Sequence, residues 1–254
     1  LGITPPELAT LPVILGETGT KKLSKRDGAK DVLDYRAEGY LPEALVNFLA
    51  LLGWHPEDET EVMDIEELIT KFDISRLQKA GARFDEAKLL WMNHEHLKRL
   101  SDDEFFGRLT INADERNVAM PTYAARALSL LRERAQTIGD AVDMLASGEF
   151  GWFEEATPSR ETLLAGAKAE ADAVRTHLAK LIDIADAIPE SAWGAESVKD
   201  QVFPYATEAG RSAVLWPMRV ALSGREKSPD PFTLAGLLGK ELVKQRLAHA
   251  LELL

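Results

Sequence analysis

Apolar residues recur along most of this chain at helical rather than strand spacing. Leu45, Phe48, Leu49 and Leu52 fall at i, i+3, i+4 and i+7, the stripe that an amphipathic helix turns toward its core. Pro42 suits the first position of that helix and Gly53 its end. The stretch Asp85 to Leu97 predicts a second helix, with Leu89, Met92 and His96 near one face. From Pro121, the apolar positions Leu128, Leu131, Ala135, Ile138, Val142 and Leu145 predict one long helix that Ser147-Gly148 ends. Another long helix is predicted from about Pro158 to Ala187, on Ala167, Ala171, Val174, Leu178, Leu181 and Ala185, with Ile188-Pro189 as its stop. Pro217 is expected to open a short helix through Ser223, closed by Gly224. Asp230-Pro231 reads as the N-cap and first turn of a last helical region. Only Leu11 to Leu15 reads as a strand, with Gly16-Glu17-Thr18-Gly19 as the turn behind it. The expected fold is mainly α, with a short β-hairpin at the start, no internal repeat and no low-complexity segment.

Composition adds exclusions. The 254 residues are 45% hydrophobic and 28% charged, ordinary for a globular protein, and include no cysteine. Disulfides and thiolate metal sites are therefore excluded, which fits a reducing cytoplasm. No apolar run reaches transmembrane length, and no signal-peptide pattern opens the chain. A net charge of −12 argues against indiscriminate binding of nucleic acid or an anionic membrane. The cations are nonetheless clustered. Lys21, Lys22, Lys25 and Arg26 sit together on a predicted loop. Arg211, Arg219, Arg225, Lys227, Lys240, Lys244 and Arg246 face only Glu226, Asp230 and Glu241 in the same segment. An acidic protein with basic clusters binds a polyanion only at chosen places.

Other motifs fall short of chemistry. Gly16-Glu17-Thr18-Gly19-Thr20-Lys21 has two residues between its glycines, whereas a phosphate-cradling P-loop needs four and then Lys. His94-Glu95-His96 lacks the i, i+4 spacing that puts two histidines on one helix face, so no metal site is expected and a solvated or capping role is. Trp54, Trp91, Trp152, Trp193 and Trp216 read as packing residues rather than base-stacking platforms. No Ser/His/Asp spacing or paired carboxylate stands out.

Lys22-Leu23-Ser24-Lys25-Arg26 resembles the KMSKS loop of class I aminoacyl-tRNA synthetases. Its flanks, Leu11-Pro12-Val13-Ile14-Leu15-Gly16 and Asp27-Gly28-Ala29, are similar to the same region of bacterial glutamyl-tRNA synthetases. So are Gly39-Tyr40-Leu41-Pro42-Glu43-Ala44-Leu45-Val46-Asn47-Phe48-Leu49-Ala50-Leu51-Leu52-Gly53-Trp54 and Lys88-Leu89-Leu90-Trp91-Met92-Asn93. Trp216-Pro217-Met218-Arg219-Val220-Ala221-Leu222-Ser223-Gly224 and Leu237-Leu238-Gly239-Lys240-Glu241 resemble that family's last domain. The family's His-x-Gly-His motif is missing, and the chain opens on Leu1 rather than Met. The resemblance therefore implies the C-terminal half of such an enzyme, from the KMSKS loop onward.

The resemblance implies a division into residues 1–100 (end of the catalytic domain, KMSKS loop and stem-contact region), 101–153 (first helical anticodon-binding domain) and 154–254 (second). It implies a ligase that joins glutamate to its tRNA with ATP and Mg2+. Glutamate attacks the α-phosphate of ATP, and a terminal ribose hydroxyl then takes the glutamyl group. Lys22, Leu23, Ser24, Lys25 and Arg26 would face ATP, with Lys25 meeting the charge that develops on the leaving pyrophosphate. Lys21 and Arg26 have a plainer alternative as solvated cations or surface ion pairs. Arg219, Ser228, Pro229, Arg134 and Arg132 would contact the anticodon. For Arg219 the plain alternative is a buried ion pair, and for Arg132 and Arg134 a solvated face. Glutamate tRNA is the expected partner, with glutamine tRNA left open. A cytoplasmic monomer is expected, without membrane or DNA. This half alone is expected to bind tRNA, to hold no cofactor and not to catalyse. The alternatives are a stand-alone RNA-binding descendant of such a synthetase and a helical protein-interaction scaffold.

Overall fold

Short polar side chains start seven of the thirteen α-helices among the described residues. The computed structural model describes residues 10–24, 26 and 29–254. Asp31, Asp64, Asp85, Ser101, Thr137, Ser159 and Asp230 each accept a backbone N–H of the first turn that follows. An N-terminal turn has no carbonyl of its own to pair these donors, and each such cap contributes about 1 kcal/mol. The first compact unit runs to Ser147 and holds α1 (Val32–Ala37), α2 (Pro42–Leu51), α3 (Ile65–Lys71), α4 (Glu86–Arg99), α5 (Asp102–Glu115), α6 (Leu128–Arg134) and α7 (Ile138–Ala146). The second, Gly148–Leu254, holds α8 (Arg160–Ala165), α9 (Ala171–Ala187), α10 (Ala195–Ala209), α11 (Arg211–Ser223), α12 (Pro231–Leu238) and α13 (Lys240–Glu252).

In the first unit α2 packs on α4, burying Phe48, Leu89 and Met92 with Tyr35 of α1. Two buried asparagines fix the backbone around this core. Leu41 precedes α2 and supplies no side-chain cap, so its N–H donates to Asn93 Oδ1 at 2.8 Å. Asn93 Nδ2 donates in turn to the Gln136 carbonyl. Asn47 Oδ1 accepts the Met63 N–H at 2.8 Å and faces His96 Nε2 at 3.0 Å. Gly39 lies at φ 80°, and a Cβ there would sit 2.2 Å from the Gly139 nitrogen. That close approach lets the Gly39 carbonyl accept the Ile138 N–H at 2.9 Å.

The expected hairpin is reduced to a single bridge. Among the described residues there is no strand; this segment has an antiparallel bridge between Leu15 and Lys22 and a parallel one from Leu15 to Arg83, and a third isolated bridge joins Trp54 and Leu77. Leu15 donates to the Ala82 carbonyl, and its own carbonyl accepts from Phe84, so a neighbouring loop takes the place of a longer ladder.

Both predicted long helices are broken. The stripe Leu128, Leu131, Ala135, Ile138, Val142 and Leu145 is buried throughout, yet α6 stops at Arg134 and α7 starts at Ile138. Thr137 and Asp140 form a reciprocal capping box there. The Ala135 and Gln136 carbonyls meet His94 Nδ1 and Asn93 Nδ2 instead of helical partners. In the second stripe, α8 ends at Ala165 and α9 begins at Ala171, with Lys168 at φ 55° between them. Pro217 lies inside α11 rather than opening it. A proline inside a helix costs about 3 kcal/mol in isolation. Here α11 packs against α8, α9, α10, α12 and α13, and burial of Val214, Pro217, Met218, Val220, Ala221 and Leu222 outweighs the lost bond. Gly224 closes the helix at φ 67°, as its position predicted.

Candidate nucleic-acid interface

The basic loop of the first unit is closed at its base by the backbone. Gly16 N–H donates to the Lys21 carbonyl at 2.8 Å, Gly19 N–H to the Gly16 carbonyl at 2.8 Å, and Leu23 N–H to the Ile14 carbonyl at 2.9 Å. These bonds leave Lys21 and Lys22 exposed, without an ion-pair partner among the described residues. Both line a pocket of about 590 Å³ that also includes Thr18, Leu23, Lys30 and Glu86. Leu23 and Ser24 are half-buried and Arg26 is exposed; Lys25, Asp27 and Gly28 lie outside the described residues. Past the loop, Lys30 is held by Glu38 at 2.9 Å and Glu86 at 2.7 Å, and its ammonium lies 5.4 Å from the Tyr35 ring centroid. Hydrogen bonding to Glu86 raises the Lys30 pKa well above the usual lysine range. Burial pushes the nearby Tyr40 phenol up to about 12. The pocket thus offers uncommitted cations on one wall and a committed one on another, a setting in which an anion is stabilised.

The candidate arginines of the first unit lie at the end of α6. Arg132 pairs with Asp102 at 2.5 Å and its guanidinium lies 5.3 Å from the Phe105 ring centroid, so it ties α6 to α5. Its Nε is buried without a hydrogen-bond partner. Arg134 is exposed in the last turn of α6, where a cation suits the helix dipole.

Arg219 occupies the exposed side of α11, one turn after Trp216. Trp216 lies against Gly166, where a Cβ would be 2.3 Å from its ring, and its Nε1 donates to the Thr162 carbonyl at 2.9 Å. The indole is thereby fixed, and the Arg219 guanidinium lies 4.7 Å from its ring centroid. Among the described residues Arg219 makes no ion pair, and its Nε is buried without an acceptor. Ser228 and Pro229 are half-buried in the loop between α11 and α12, where Ser228 Oγ donates to the Pro229 carbonyl at 3.1 Å. Ser223 Oγ pins the start of that loop through the Arg219 and Arg225 carbonyls, and Asp230 caps its end.

The basic segment from Arg211 to Arg246 is not a uniform patch. Arg246 is buried and donates to the Trp152 and Leu222 carbonyls at 2.7 and 2.5 Å. Arg225 donates to the Gly148 and Glu149 carbonyls, and Lys240 to those of Asp186 and Ile188. Lys244 pairs with Asp186 at 2.6 Å. Sequence counting could not separate these structural cations from the uncommitted ones. It also missed the Trp216 shelf, although the i, i+3 spacing of Trp216 and Arg219 was visible. Trp91, read as packing, is 42% exposed. His96 is buried against Asn47, and among the described residues no cluster of three or more His, Asp or Glu could hold a metal.

Comparison with known proteins gives this arrangement a family. Residues 91–251 match the family model described as an anticodon binding domain, and residues 1–91 the one described as the catalytic domain of class I tRNA synthetases (E and Q). Over more than half its length the chain belongs to the anticodon-binding-domain family. It is similar to the glutamate–tRNA ligase of Paracidovorax citrulli, 36% identical over 256 residues that make up 98% of this chain and 51% of that protein. The glutamate–tRNA ligase of Clostridium botulinum is 36% identical over 250 residues, 96% of this chain and 50% of that protein. The crystal structure of a glutamate tRNA ligase from Elizabethkingia meningosepticum superposes with a TM-score of 0.69 at 31% identity, covering 99% of this chain and 52% of that one. The chain thus spans about half the length of the relatives it matches.

Proposed function

We propose that this chain is the tRNA-binding part, from the KMSKS loop onward, of a cytoplasmic, monomeric glutamate–tRNA ligase. Residues 1–100 carry the loop and a stem-contact region, and residues 101–153 and 154–254 carry the two anticodon-binding parts. The observation that carries this reading is Arg219, held on Trp216 in an anticodon-binding domain with no acceptor of its own. Anticodon bases are single-stranded and splay out, so a planar guanidinium fixed on an indole meets a base edge with little loss of freedom. Ser228, Pro229 and Arg134 adjoin the same task. Arg132 is the weakest member of the set, because Asp102 already engages it. Glutamate tRNA is the partner, and glutamine tRNA a test of its selectivity.

The loop cations fit a nucleotide triphosphate, since Lys21 and Lys22 face an open pocket unpaired. Lys22 and Ser24 would hold phosphate oxygens, and the Lys25 ammonium would meet the charge that builds on the leaving pyrophosphate. Mg2+ bound with ATP would neutralise part of that charge. Binding of labelled glutamate tRNA, read by fluorescence anisotropy, tests the tRNA reading. Arg219→Ala should weaken it by about 2 kcal/mol, and retention of full affinity would remove Arg219 from the site. In the protein that carries the rest of the catalytic domain, Lys25→Ala should lower turnover about a hundredfold with tRNA affinity unchanged. Equal losses in both would make Lys25 a tRNA contact instead.

A further inference from the structure

Arg211, Leu215 and Arg219 step by four residues along α11 and share one ridge. All three reach the surface, whereas Val214, Met218 and Ala221 face the core. The two arginines are about 12 Å apart along the helix axis, and no carboxylate lies on the ridge between them. Arg211 repeats the construction of Arg219. Its guanidinium lies 4.7 Å from the centroid of the Phe203 ring on α10, and it has no ion-pair or hydrogen-bond partner among the described residues. Phe203 is in turn set edge-on against Phe232 at 6.3 Å. Most other cations of the segment are occupied by carbonyls or carboxylates. Two arginines set over aromatic rings, neither guanidinium with an ion-pair or hydrogen-bond partner among the described residues, are pre-organised for an outside acceptor.

We propose that Arg211 is a second RNA contact, which takes a backbone phosphate of the nucleotides adjoining the one that meets Arg219. This rests on the tRNA-binding reading. Phosphate rather than base is the assignment because Arg211 is exposed at the first turn of α11. There Gly210 supplies no side-chain cap, so the positive end of the helix adds to the guanidinium charge. Arg219 by contrast is half-buried beside an indole, where an edge is read.

The test is anisotropy binding of the whole chain to glutamate tRNA across a salt series, with Arg211→Met, Arg211→Lys and Phe203→Leu. Arg211→Met should bind about tenfold more weakly, with the slope of log affinity against log salt reduced by about 0.7. The loss should be the same for tRNAs with altered anticodons, because a phosphate carries no sequence. Arg211→Lys should keep the slope, and Phe203→Leu should weaken binding without changing it. An unchanged affinity and slope in Arg211→Met, beside a loss in Arg219→Ala, would overturn the Arg211 contact and leave the tRNA reading standing. No tRNA binding by the wild-type chain at low salt would overturn both. Arg211 is exposed, so its variants should melt as the wild type does; if Arg211→Met melts lower, its salt slope decides, because a smaller folded fraction lowers affinity without changing the slope: a slope reduced by about 0.7 supports the contact and an unchanged slope overturns it.

Discussion

Arginines in this chain do three different jobs, and burial with partners separates them. Arg246 is a core strut whose charge is absorbed by carbonyls, Arg132 an ion-paired tie, and Arg219 a cation set over the Trp216 ring with no ion pair among the described residues. Histidine shows the cost of burial more directly. Desolvation, with the charge of Arg99 second, depresses the His96 pKa, against smaller opposing effects of Glu43 and Asp64. The folded chain then binds fewer protons at His96 than the unfolded chain does. Its contribution to stability is present above the ordinary histidine value of about 6.5 and is lost as pH falls through the lower folded value. Urea unfolding from neutral to mildly acidic pH should show the wild type losing stability more steeply than His96→Gln, which keeps a donor for Asn47. Parallel pH profiles would show that His96 does not titrate on unfolding. His177 shifts in the same direction and is common to both proteins, so it cancels in the comparison.

At the scale of elements, helix ends are decided by who takes the free backbone groups. The gap between α6 and α7 exists because α4 supplies Asn93 and His94 to the carbonyls that a continuous helix would have used. The same Asn93 completes the start of α2. Asn93→Ala would leave the buried Leu41 N–H without its partner and return the carbonyl of the exposed Gln136 to water, so it should destabilise the first unit by about 1–3 kcal/mol. Chemical denaturation checks this, and a change under about 0.5 kcal/mol would mean that both groups find other partners. In the second unit the break after α8 leaves the Trp216 ring packed on Gly166, the same ring over which Arg219 lies.

Taken whole, the molecule is acidic, yet among its cations without an ion-pair partner in the described residues are Lys21 and Lys22 on the loop of the first unit and Arg211 and Arg219 on one ridge of α11 in the second. Affinity for tRNA should therefore be strong only where those cations meet phosphate or base, and should fall with salt. The chain spans about half of its ligase relatives and contains no His-x-Gly-His motif. The purified 254 residues should accordingly bind tRNA but neither charge it nor exchange pyrophosphate with ATP. Measurable aminoacylation by this chain alone would refute that expectation.

Much of this was legible in the residues. Helical period, Asp and Ser caps, the αL glycine after Ser223 and the blocks around the KMSKS-like loop are local signals, and local physics obeys them. The stripe from Leu128 to Leu145 was read correctly although its helix is not continuous, because a stripe records which side chains face the core and not whether the backbone between them is unbroken; the stripe of α2 was not, since Leu49 is exposed while Ala44 and Asn47 are buried beside Phe48. By itself the sequence determined a mainly helical chain, its apolar faces and its family. Only the tertiary structure decided where helices break, that Pro217 sits inside α11, and which cations are spent on carbonyls and carboxylates. Those outcomes depend on partners far away in the chain, such as Asn93 for Gln136, Gly166 for Trp216 and Phe203 for Arg211, and no local spacing encodes a partner that only folding brings near.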